Sequence, residues 1–179
     1  MKLLSPPPHA AWIAIVSIAA VAGSYVFACA APLVAVATAA AITLPARQGL
    51  TLVLLCWVAN QAIGYGLLDY PIDASSIGWG VVLGLAALVA WGSACITLRQ
   101  AKSYGIWIAA PTAFATAFIA NQGFMWAVAH TSLGGITGFT PAIIAQVLSI
   151  NMVAAAGFAA MHNLLRLYSV RRINLLIYR

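Results

Sequence analysis

Residues 57–69 read WVANQAIGYGLLD, and this stretch decides what kind of fold the chain adopts. It lies in an apolar run, yet Trp57, Gln61, Tyr65 and Asp69 recur every four positions. On a helix that spacing places them on one face, with Asn60 beside Gln61. A polar stripe on an apolar helix is stable only where it meets other protein and not lipid. The design returns 61 positions later as Phe118, Gln122, Trp126 and His130, with Asn121 beside Gln122. Ala59-Asn60-Gln61 and Ala120-Asn121-Gln122 match outright.

Working outward, 64% of the 179 residues are hydrophobic and 6% are charged, with a mean hydropathy of +1.02. Soluble domains carry roughly a quarter charged residues. The composition therefore predicts an all-α, polytopic membrane helical bundle. Residues 1–179 form a single transmembrane domain of about six spans at roughly 20 residues each. The apolar segments are 10–30, 33–44, 48–68, 77–98, 105–129 and 141–165, punctuated by Pro32, Pro45, Pro71 and Pro141. The first also resembles a signal peptide after Lys2, but its apolar part is too long for one.

The net charge of +6 does not point to nucleic acid, because the basic residues stand singly or in pairs between apolar segments. They record orientation instead. With six crossings and both termini in the cytoplasm, Lys2, Arg47, Arg99, Lys102 and the tail arginines 166, 171, 172 and 179 all fall inside. Asp69 and Asp73 fall outside. The short segment 33–44 is expected to cross on this count, helped by tilting neighbours. The basic tail suits lying along a bacterial inner membrane surface.

The third and fifth spans run in the same direction, and each Asn-Gln pair stands nine residues before Asp69 or His130. That is roughly 13 Å below the outer end at ~1.5 Å per residue. Gln146 and Asn151 enter from the outside on the sixth span. The expected site is an outer-half pocket in which Asn60, Gln61, Asn121, Gln122, Gln146 and Asn151 donate and accept hydrogen bonds. Trp57, Tyr65, Phe118, Trp126 and His130 supply its rings, beneath the Gly- and Thr-rich loop 130–140. Spans three to four and five to six read as parallel repeats, a construction common in transporters. The competing reading is that such amides join helices, at about 0.6 kcal/mol each.

Catalytic patterns are missing. No carboxylate lies in a span, and there is no phosphate loop, nucleophile elbow or metal-binding pattern. Cys29, Cys56 and Cys95 fall in three separate segments. No enzyme activity, metal or cofactor is expected. A haem held by His9 and His162 is the one redox alternative, weakened by the three prolines before His9.

Small residues recur on the first segment as Ala10-x-x-x-Ala14 and Ala19-x-x-x-Gly23. With six apolar segments and polar groups in the outer half, the chain resembles the substrate-binding membrane component of energy-coupling-factor transporters. The Met-His start of that family's nickel and cobalt members is absent. The resemblance implies capture of a small solute from outside and coupling, through the first helix, to a membrane partner subunit. The alternative is an accessory subunit of a larger membrane enzyme, its stripes facing the partner's helices.

Overall fold

The computed structural model describes residues 9–27, 31–131 and 133–177, and every regular element among them is helical. Six α-helices follow in order: α1 His9–Phe27, α2 Leu33–Thr43, α3 Ala46–Leu67, α4 Ala74–Gln100, α5 Ile106–Ala129 and α6 Pro141–Ile177. Short 3-10 turns at Ala101–Tyr104 and Ile136–Gly138 join α4 to α5 and α5 to α6. Among the described residues, three stretches, Ala46–Leu67, Ala74–Tyr104 and Pro141–Leu167, are long and apolar enough to cross a membrane. The outside of the bundle is a band of Leu54, Leu55, Val58, Val81, Leu85, Ile119, Val153 and Leu164, all exposed. Exposed apolar side chains in this number are compatible with a helix bundle that meets lipid.

Proline sets the boundaries. Pro32 precedes α2, and Pro45 stands directly before α3. A proline ring tolerates a helix start because no backbone N–H is needed there. Asp73 begins α4, its Oδ1 accepting a hydrogen bond from the Ser76 N–H at 2.7 Å. It is thus a helix cap. Asp69, with φ 51°, is the one non-glycine left-handed residue among those described, and it turns the chain out of α3. Tyr70 folds back over Gly64, where an added Cβ would sit 2.7 Å from its ring.

The centre of the bundle is α2. It has 11 residues, about 16 Å at ~1.5 Å per residue, against a hydrocarbon core of about 30 Å. The segment 33–44, expected as a crossing, thus forms a helix of about half the necessary length, because Pro32 and Pro45 confine it. All five other helices pack against it. Residues Leu33, Val34, Ala35, Val36, Ala37, Thr38 and Ala40 are buried. Small side chains permit this crowding, since helices in lipid associate through close packing and not through release of water.

The hairpin of α3 and α4 puts Asp69 and Asp73 at one end and Arg47, Arg99 and Lys102 at the other. The loop after α5 returns to the acidic end. Leu133 lies on Gly78 and the Trp79 ring lies against Gly135, whose φ of 98° only glycine adopts at little cost. The basic tail, expected on the membrane surface, continues α6 to Ile177 without interruption.

Candidate functional site

The first stripe faces α4. The Trp57 Nε1–H donates to the Gly80 carbonyl at 2.8 Å. Tyr65 and Ser76 hydroxyls lie 3.3 Å apart. A Cβ built on Gly80 would stand 2.6 Å from Gln61 Oε1, and one on Gly84 would stand 2.6 Å from the Trp57 ring. Gly80 and Gly84 therefore form the trough into which Trp57, Gln61 and Tyr65 settle. The small-xxx-small pattern lets a neighbour's side chains reach the backbone.

One position along, the buried register of α3 comprises Gly49, Leu52, Val53, Cys56, Asn60, Ile63 and Gly64. On α5 it comprises Ala109, Ala113, Ala117, Phe118 and Asn121, with Ala129 at the end. In both helices the asparagine of the Asn-Gln pair is buried and the glutamine is half-buried. Asn121 Oδ1 accepts from Gln122 Nε2 at 3.3 Å. Asn60 is 7% exposed, and its carboxamide makes no hydrogen bond among the described residues. The side-chain atoms that are fully buried without a partner among the described residues are Ser17 Oγ, Gln48 Oε1, Trp91 Nε1 and His162 Nδ1, so the Asn60 amide keeps some accessible surface.

The two pairs do not share a depth. Gln61 is level with Gly80 on α4, whereas Thr116 bonds Thr97 at 2.8 Å. Asn121 is only five residues beyond Thr116, so it cannot rise above the level of about Gly92. Asn60 and Asn121 are therefore offset by roughly 15 Å along the bundle at ~1.5 Å per residue. The equal depth inferred from helix ends fails because α5 ends lower than α3 and the 130–140 loop makes up the difference.

Asn151 is the most buried polar side chain described, at 1% exposure. Its Oδ1 accepts from the Ala35 N–H at 3.0 Å and its Nδ2 donates to the Val147 carbonyl at 2.9 Å. It caps the start of α2 from a neighbouring helix. Gln146 is exposed. Trp126 and His130 are exposed as well, with ring centroids 4.3 Å apart and His130 Nδ1 2.9 Å from the Trp126 carbonyl. Phe118 is buried in the core.

Of the eleven expected residues, then, Trp57, Gln61 and Tyr65 gather on α4, Asn121 meets Gln122, Trp126 meets His130, and Asn151 holds α2. Asn60 stands beyond the N-terminal end of α2, because Gly49 packs on Ala40 and eleven further residues of α3 pass Leu33. Sequence reading missed Trp12, whose indole N–H donates to Thr43 Oγ1 at 2.8 Å and whose ring meets His162 at 5.0 Å. The signal was available as a lone tryptophan one turn into an alanine-rich helix. The His9 side chain, the other half of the haem alternative, lies outside the described side chains.

The chain matches no family model, no curated protein and no solved structure.

Proposed function

We propose that the protein is a membrane transport component that binds a small hydrogen-bonding solute in the outer half of the bundle and passes it inward. The observation that carries this reading is Asn60: an amide on the buried face of α3 that makes no hydrogen bond among the described residues and keeps its polar atoms accessible, beyond the end of a half-length helix. Helices that stop inside the membrane, with their N-terminal ends facing a solute, are a recurrent way of building a transport site. Asn121 and Gln122, deeper by about ten residues of α4, offer the next hydrogen bonds on an inward path. Trp57 and Tyr65, on the face of α3 turned to α4, supply ring surface nearby in sequence.

The proposed orientation has both termini in the cytoplasm of a bacterial cell, with its inner membrane as the site of action. Arg47, Arg99 and Lys102 share one end of the bundle, and the carboxylates share the other, as the positive-inside rule requires. The likeness to the substrate-binding component of energy-coupling-factor transporters extends this reading to a coupling subunit. Ala19 and Gly23 of α1 line an apolar groove of about 440 Å³ shared with Val153 and Gly157 of α6, a surface suited to a partner helix. The same groove favours the second reading, an accessory subunit of a membrane enzyme.

Native mass spectrometry of protein released in gentle detergent separates the two. The transport reading expects a bound non-lipid molecule of defined mass. Protein that carries only lipid, or that leaves the membrane only with a larger enzyme, supports the second reading.

A further inference from the structure

Far from Asn60, a cavity of about 260 Å³ opens where α2 turns into α3 and α4 ends. Ala41, Leu44, Trp91 and Leu98 give it apolar walls, and Arg99 and Lys102 line it. Both cations are exposed, and neither has an ion pair or hydrogen bond among the described residues. They stand three positions apart around the end of α4, where like charges repel. The chain has only two carboxylate side chains, Asp69 and Asp73, and both are at the opposite end of the bundle. No counter-ion for the Arg99–Lys102 pair can come from an acidic side chain of this protein. The Trp91 indole N–H is buried against Gly49 of α3, so Trp91 offers the cavity an apolar wall and not a donor.

We propose that this cavity binds the phosphate headgroup of an anionic phospholipid. The phosphate lies between Arg99 and Lys102, and the glycerol and first methylenes rest on Leu44 and Leu98. Basic pockets between helices at the cytoplasmic side of a membrane are suited to such headgroups, and arginine binds phosphate through paired, charge-assisted hydrogen bonds. A free phosphate offers the same charge, but it leaves the apolar walls uncovered, so the lining favours the lipid. The inference does not rest on the solute reading.

The full chain in detergent is titrated with phosphatidylglycerol and followed by native mass spectrometry. At about fivefold per cation, Arg99→Gln/Lys102→Gln is expected to weaken binding roughly 25-fold. Arg99→Lys/Lys102→Arg keeps both charges and is expected to bind like wild type, and so is Arg166→Gln, which removes a cation elsewhere. Occupancy is localised by Cys95, whose thiol lines the same cavity. Its alkylation is expected to slow with phosphatidylglycerol and not with phosphatidylcholine or inorganic phosphate. Equal loss in Arg166→Gln, undiminished binding in the double variant, or protection of Cys95 by inorganic phosphate or phosphatidylcholine alone would each overturn the proposal.

Discussion

Asn151 of α6 accepts a hydrogen bond from the backbone N–H of Ala35, 116 residues earlier in the chain, at 3.0 Å in the buried centre of the bundle. The first N–H groups of a helix lack partners within it, and here water is not at hand. Replacing Asn151 with Leu should therefore cost about 1–3 kcal/mol, the penalty of a buried unsatisfied donor. Thermal unfolding in detergent is expected to show a lower midpoint for Asn151→Leu. An unchanged midpoint would mean that α2 does not depend on this cap.

Gly84 and Gly92 are two turns apart on α4 and make opposite demands. A Cβ on Gly84 would meet the Trp57 ring at 2.6 Å, whereas one on Gly92 meets nothing within 4 Å. Gly84→Ala is expected to destabilise by about 1–3 kcal/mol through overpacking. Gly92→Ala is expected to be neutral or to gain up to about 1 kcal/mol from helix propensity. Equal midpoints for the two variants would show that α3 and α4 are not in close contact at Trp57.

Orientation has its own check. A cysteine at Ser75, beside the Asp73 cap, is expected to react with an impermeant reagent added outside cells. One at Gln100, beside Arg99, is expected to react only after the membrane is opened. The reverse pattern would turn the bundle over and move the Asn60 site to the cytoplasmic half.

The helices themselves were legible because proline and charge mark their ends: Pro32, Pro45, Asp73 and Pro141 stand at or next to boundaries. The burial of α2 was not legible. An apolar helix of a lipid-facing bundle is equally stable against tails or protein, so Leu33 to Thr43 looks alike in both settings. The half-length was visible in the spacing of Pro32 and Pro45, but the charge count favoured a full crossing. The four-residue period on α3 and α5 runs one position away from the buried registers that hold Asn60 and Asn121. Ala109, Ala113, Ala117 and Asn121 form the telling series, small residues ending in an amide. Relative depth was beyond reach, since helix lengths say nothing of how α5 slides against α4, and the Thr97–Thr116 bond is what fixes it.

The central claim is that Asn60 holds a solute, and native mass spectrometry of Asn60→Leu beside wild type tests it most directly. Leucine is at home inside a bundle, so the variant is expected to remain folded, with an unfolding midpoint at or above that of solute-free wild type. Loss of the carboxamide should weaken the bound solute by about 1–3 kcal/mol, roughly one or two decades in affinity. A variant that keeps the same bound molecule at the same occupancy across a dilution series would contradict the account.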